Sequence, residues 1–400
     1  MYILWILVLL LFLNIPVSSH LDQVHIIYVD YYNTHGPWDG SISHPYNSIQ
    51  DGIDYATSGD WVFVNKGSYQ ENIVIKDSIR LQGEEKTTTI IDGGGRDDVV
   101  SILSDDVIFS GFTVCNSNHD LEKGLWWKAG IRILGSDVTI IDTIVRDNLQ
   151  GIFLKQAENF TLLNNQFICD GLTIYPYDTG YIIRPNLKRS HFIHRIDNNT
   201  VNGKPLIYLV DEENIEISSN VGQLICVNCS SCRIHNITIE HTDFPIIFFN
   251  CDHCVIDHVV CIQNDGICSF LDSNDNIIRY SKFHQNMHGC LCDYSSEDNT
   301  FYKNTFSENF FCGVICEYHS NDNIITMNNF IDNHGFDAFV IKAFSNTWKN
   351  NYWSDWIGID HPFFRLFPKL IFGTHFESHQ RIKTYINFDW SPSMTRHIFV

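Results

Sequence analysis

The feature that most limits what this chain can become is a repeat of about two dozen residues. Asn276-Ile277-Ile278, Asn299-Thr300-Phe301, Asn323-Ile324-Ile325 and Asn346-Thr347-Trp348 each set a polar residue before a short apolar run, at steps of 23, 24 and 23 residues. Continuing toward the N-terminus, the same spacing falls on Cys254, Cys232, Asn214, Ser190, Asn159, Asp137, Asp106 and Ser78. A repeat this short cannot bury an apolar face alone, so successive copies must stack on one another. Between the polar positions, runs such as Ile131/Ile133 and Ile152/Leu154 alternate with period two, the pattern of strands with one face inward. The expected fold is an all-β, single-stranded solenoid of parallel strands with a column of small polar residues at one turn. Asp106, Asp137, Asn159, Asn214, Asn276, Asn299, Asn323 and Asn346 are its expected rungs, stacked so that their side chains bond to one another and to the turn backbone. Gly130, Gly151, Gly266, Gly289 and Gly313 recur where a bend has no room for a side chain.

The ends read differently from the repeats. Tyr2 to Leu13 is almost wholly apolar and is followed by Pro16, Ser18 and Ser19, so residues 1–19 are expected to be a signal peptide cleaved before His20, with an uncleaved anchor as the alternative. Residues 20–60 are expected to form a cap, in which Ile49, Ile53 and Ala56 share one face of a short helix. The repeats then occupy 61–355, and the aromatic tail 356–400 is expected to close the far end as an irregular cap.

Charge narrows the partners. Acidic residues outnumber basic ones 47 to 26, a formal charge of −21, which disfavours nucleic acid because phosphate binding rests on clustered Lys and Arg. No second stretch reaches the roughly 20 apolar residues that a membrane helix needs, so contact with a membrane would come only through an uncleaved anchor.

Tyr46-Asn47-Ser48-Ile49-Gln50-Asp51-Gly52-Ile53, Gly59-Asp60-Trp61-Val62-Phe63-Val64, Tyr69-Gln70-Glu71-Asn72-Ile73, Ile90-Ile91-Asp92-Gly93, the segment from Asn198 to Leu206, and Asn351-Tyr352-Trp353 resemble NosD-like right-handed parallel β-helix proteins. The resemblance spans roughly residues 26–355. It implies a pectin-lyase-like architecture, shared with carbohydrate-acting β-helices, and an extracytoplasmic location. It also implies a copper-related label, which does not by itself extend to every β-helix of this kind.

Cysteine usage is unusual, with eleven of 13 between Cys226 and Cys316. Cys229-x-x-Cys232 and Cys251-x-x-Cys254 have the spacing of a four-thiolate zinc site. Their offset is also the length of one coil, so two stacked repeats that each carry a Cys pair give the same spacing. Three readings stay open: cross-coil disulfides or a thiol ladder, a soft metal (zinc or copper), and redox chemistry.

For catalysis, Asp147, Asp170 and Asp178 are the candidate carboxylates, with Asp147 and Asp170 on successive coils and turn residues the simpler account of both. Two steps of 31 residues exceed a coil, and both excesses are expected at the same turn, two coils apart. One carries Trp126 and Trp127, the other Tyr175, Tyr177 and Asp178, with Arg146 and Asp147 between them, which suggests a platform for stacking sugar rings. The leading expectation is a secreted or cell-envelope β-helix that binds polysaccharide or serves a structural role at the surface. A polysaccharide lyase or glycoside hydrolase at the edge near Trp126 and Tyr175, and copper or zinc binding at the stacked cysteines, are the alternatives. Asn159, Asn198, Asn228 and Asn236 lie in glycosylation sequons, and Asn159, as a rung, is expected to be buried and unmodified.

Overall fold

The computed structural model describes residues 25–118, 128–175, 188–356, 368–377 and 381–399. The signal-like segment 1–19, and Trp126, Trp127, Tyr177 and Asp178, lie outside them.

Each coil lays down three short strands, one on each of three parallel sheets. In the C-terminal half the first face holds His288–Asp293, Cys312–Glu317 and Phe336–Ile341, and the second holds Ile277–Arg279, Thr300–Tyr302, Ile324–Thr326 and Thr347–Lys349. Lys282–His284, Thr305–Ser307, Asn329–Ile331 and Tyr352–Trp353 form the third. Strands of only three residues suffice because each needs just one inward side chain: Ile278, Phe301, Ile325 and Trp348 stand in register, all buried. The result is a parallel β-solenoid of about twelve turns. Closure of each sheet by the coil above and below satisfies the strand backbone, leaving edges only at the two ends.

Those ends are covered. The helix Ile49–Tyr55, N-capped by Ser48, buries Ile49, Gly52 and Ile53 against the first coils. A Cβ on Gly52 would come within 2.7 Å of Val29 Cγ2, so the helix sits close because that residue has no side chain. The tail is not irregular as expected. Lys369–Glu377 and Arg381–Asp389 form an antiparallel hairpin whose first strand pairs in parallel with Phe336–Ile341, through Val340 with Gly373. The hairpin also ends a ladder: Asp389 Oδ2 accepts from the Asn351 N–H at 3.0 Å and from Trp353 Nε1 at 3.2 Å.

The solenoid has two interior cores, joined near residues 172–249. In the strand Gln223–Val227 every residue is buried, Leu224 and Cys226 in one core and Ile225 and Val227 in the other. This explains the unbroken apolar run, since a strand covered on both sides loses its alternation. Phe192 stacks on Phe249 across the joint, with ring centroids 3.6 Å apart. Gln223 splices the backbones there, accepting from Leu172 N–H at 2.9 Å and donating to Leu172 O and Phe244 O at 2.8 Å each.

Four polar columns, not one, hold the turns, one of them running Ser273, Ser296 and Ser320 beside the first corner. At the first corner Asn276, Asn299 and Asn323 each donate their backbone N–H to the next asparagine's Oδ1, at 2.9 Å every time, ending on Asn346. Ser281, Asn304, Asn328 and Asn351 do the same at the second corner, and Asn264, Asn286, Asn309 and Asn333 at the third. In the N-terminal half the expected register is off by one residue. Asp106, Asp137, Asn159 and Asn214 are exposed and left-handed, with φ between 52° and 58°. They match Asp275, Asp298 and Asp322, one residue before each true rung, and the inward position behind the first three is filled by Val107, Val138 and Phe160. Asn159 is therefore at the surface, hydrogen-bonded to Asp137, and not buried.

Candidate functional site

The coils between the two insertions share one face. On the first face of the N-terminal half, Val100–Ile102, Ala129–Ile133, Gln150–Lys155 and Leu172–Tyr175 pair so that Ser101, Arg132, Phe153 and Thr173 lie in one row, with Lys155 level with Tyr175. Residues 119–127 interrupt the chain just before this face, whereas 176–187 follow Tyr175 at its far end. The expectation that both leave from one turn is corrected: they depart from opposite ends of the strands. The repeat count could not tell the difference, because a step between second-face positions contains both corners of the first face.

Across this surface the side chains are locked together. Asp98 holds the Arg132 guanidinium through two bonds, Nε to Oδ2 at 2.7 Å and Nη2 to Oδ1 at 2.9 Å, and also accepts the Ala129 N–H at 2.7 Å. Arg132 lies over the ring of Phe153, 4.7 Å from its centroid, and Phe153 meets Tyr175 at 5.2 Å. Lys128 pairs with Asp97 and reaches Asp98 at 3.6 Å. Burial acts to raise the Asp97 carboxyl, but Lys128 and the Asp98 N–H more than offset it and hold it below the usual range. Beneath, Thr173 donates to Gln150 Oε1 at 2.7 Å. Of these residues, sequence reasoning singled out Tyr175 alone. Asp98, Lys128, Arg132 and Phe153 carry no motif, and become visible only once the coils bearing the insertions are set in register.

The other candidates are placed elsewhere. Arg146 and Asp147 pair with each other, exposed, at the corner from which 119–127 departs. Asp147 is level with Cys169 rather than Asp170, because Arg146 pairs with Ile168. Asp170 is level with Asn148, fully buried, and accepts from its N–H at 3.1 Å and its Nδ2 at 2.7 Å. It faces Asp243, whose Oδ2 accepts the Gly151 N–H at 2.8 Å while Oδ1 has no partner. Burial, and then the charge of Asp243, pushes Asp170 well up; burial, with the charge of Asp265, raises Asp243 to about 8. These acids are sealed into the joint, out of reach of the outer surface, and Asp147 and Asp170 form no catalytic pair.

The cysteines occupy ladder positions. Cys229 stacks on Cys251 and Cys232 on Cys254, with all four at most 1% exposed. The Cys251 N–H donates to Ser273 Oγ at 3.0 Å and that of Cys254 to Asn276 Oδ1 at 2.9 Å, so each pair begins a column that Ser or Asn continues. Cys268 with Cys290, and Cys292 with Cys316, stack on the first face. All thirteen are free thiols. Stacking in a parallel sheet keeps equivalent Cβ atoms near 4.8 Å, beyond the roughly 3.5–4.5 Å of a disulfide. The thiols instead face carbonyls, Cys251 to Cys226 O at 3.3 Å and Cys229 to Val227 O at 3.4 Å. Burial pushes Cys254 up to about 12, and the Cys226 and Cys251 thiols together hold Cys229 low.

Residues 168–358 match the family model described as NosD, periplasmic copper-binding protein. No curated protein matches the chain. Among solved structures it is similar to the GH136 lacto-N-biosidase from Eubacterium ramulus, at 12% identity over 81% of this chain and 67% of that one, with a TM-score of 0.36. The A-module of the Azotobacter vinelandii mannuronan C-5 epimerase AlgE4 matches at 12% identity over 80% and 96%, TM-score 0.33, and a rhamnogalacturonan lyase at 14% over 82% and 87%, TM-score 0.34. Likenesses this distant say nothing about what the present chain acts on. The chain folds as a parallel β-helix, and its residues 168–358 are similar to the NosD family. The copper of that description does not fit the residues here, since among the described residues no three or more His, Cys, Asp or Glu gather so as to hold a metal ion.

Proposed function

We propose that this chain is an extracytoplasmic β-helix that binds a polysaccharide across the first face of its N-terminal half, between the two insertions. The observation that carries this reading is the row Asp98, Arg132, Phe153 and Tyr175. The Arg132 guanidinium is fixed by a bidentate carboxylate, and the buried Phe153 backs the half-buried ring of Tyr175, whose face suits the C–H face of a sugar. Little rotamer freedom remains to be lost on binding, because Arg132 and Phe153 are already held. Lys128 with Asp97, and Arg132 with Asp98, leave the surface close to neutral, which favours an uncharged or weakly charged glycan. The apolar start of the chain and the periplasmic description of the matched family support the location.

The sealing of Asp170 and Asp243 and the pairing of Asp147 with Arg146 favour binding without cleavage. A panel of soluble polysaccharides tested by titration calorimetry, with products followed by reducing-end and unsaturation assays, tests both halves of the proposal. Binding lost in Tyr175→Ala and Arg132→Ala, without turnover, is the expected result. Turnover, or binding untouched by either change, would overturn it.

A further inference from the structure

At the far end of the solenoid, the last complete coil and the strand Lys369–Glu377 enclose a cavity of about 210 Å³. Its floor is polar and already organised. Lys369 Nζ pairs with Asp355, lies 3.9 Å from Asp337 Oδ2, and rests over the ring of Trp353 at 5.4 Å. Asp337 is buried, accepts from Asn333 Nδ2 at 2.8 Å and shares a hydrogen bond with Asp355. The mouth is apolar: Phe336 and Phe372 line it and are 47% and 45% exposed. A row of rings reaches it along the entry edge of the first face, Phe310 packing on Phe311 at 4.6 Å and facing His334 at 6.5 Å.

We propose that this cavity is a second binding site, separate from the N-terminal surface and independent of it, which takes a single neutral sugar residue. The floor sets a donor, the Lys369 ammonium, beside an acceptor, the Asp355 carboxylate, and a hydroxyl group can answer both. Burial supports this arrangement by raising Asp337 to about 7, so that near neutral pH its proton bridges to Asp355 and holds that acceptor in place. An anion would meet Asp332, Asp337 and Asp355 against one lysine, and a cation would have to displace a lysine already held by two carboxyls. Exposed phenyl rings at the mouth suit the C–H face of a pyranose. The volume falls below the roughly 300–1,000 Å³ of pockets for drug-sized ligands, which leaves room for one ring rather than several.

Titration of the full chain with glucose, galactose, mannose, N-acetylglucosamine and choline, read by calorimetry and saturation-transfer NMR, tests this. At least one neutral sugar is expected to saturate a single site, with Phe336→Ala weakening it tenfold or more and Asp355→Asn fivefold or more. Tyr175→Ala, at the N-terminal surface, is expected to leave it within twofold. Phe372→Ser, at an equally exposed position, serves as a second reading should the first variant lose its fold by circular dichroism. No saturable sugar, preference for choline, or affinity that Phe336→Ala and Phe372→Ser leave within twofold overturns the inference. Sugar binding that is lost in Tyr175→Ala alone also overturns it, while leaving the N-terminal reading standing.

Discussion

Arg132 lies over the ring of Phe153, 4.7 Å from its centroid, while Asp98 grips its Nε and Nη2. Lysine at this position keeps the charge but loses the fork, so it cannot make both bonds to Asp98. Arg132→Lys should therefore weaken glycan binding nearly as much as Arg132→Ala, on the order of tenfold, while stability changes by about 1 kcal/mol or less. Calorimetry beside thermal melts checks this, and full affinity in Arg132→Lys would show that charge alone is read.

Asp243 makes the joint between the two cores sensitive to pH. Its carboxyl is raised to about 8 from a reference value of 3.8, with burial as the leading cause. Between those values the folded chain keeps a proton that the unfolded chain has released, so stability falls as pH rises, by about 1.4 kcal/mol per pH unit for one proton. Asp170 shifts the same way and adds to the slope. Asp243→Asn retains an acceptor for the Gly151 N–H and removes one ionisation. Its denaturation midpoint, measured from pH 5 to 9, should fall less steeply than that of the natural chain and lie above it at pH 8.

How far the sequence could be read follows from this pattern of burial. The coil length and the C-terminal rungs were legible because Asn276, Asn299 and Asn323 recur where each side chain bonds the backbone of the neighbouring coil. The N-terminal register was not. In Asp275-Asn276, Asp298-Asn299 and Asp322-Asn323 both the exposed left-handed residue and the buried rung are polar, whereas in Asp106-Val107, Asp137-Val138 and Asn159-Phe160 only the exposed one is. Counting polar residues thus slides from one column to its neighbour. The N-terminal surface escaped notice for a different reason: Asp98, Arg132 and Phe153 are far apart in sequence and ordinary one at a time. The cavity near Asp337 depends on a tail hairpin that no repeat announces.

The two columns make opposite predictions for substitution. Asn299 accepts from the Asn276 N–H and Nδ2 at 2.9 and 3.0 Å and donates to Ser273 O at 2.9 Å, all out of contact with water. Asn299→Ala strands these partners, each at about 1–3 kcal/mol, and should cost roughly 2–5 kcal/mol in all. Asn159→Ala, exposed, should cost about 1 kcal/mol or less, chiefly from the left-handed backbone that alanine disfavours. Chemical denaturation of the two variants decides whether the rungs are where the structure has them. Equal losses would restore the register expected from spacing.

The thiol stack gives the last test. Twelve of the thirteen cysteines are buried, and only Cys169 is exposed. A disulfide between stacked neighbours would have to draw the Cβ atoms of adjacent coils together, against columns that hold the coils at strand spacing through Ser273 and Asn276. Purified protein should therefore show one thiol that reacts rapidly with an aromatic disulfide reagent, and thirteen after denaturation without reductant. Burial of the sulfurs protects them even in an oxidising compartment, because exchange needs an accessible thiolate. A denatured count of eleven or fewer would mean that at least one pair is bridged. Changing Cys292 and Cys316 together to alanine, where the bridged form would close a 24-residue step, would then show by the recovered count whether that pair carries it.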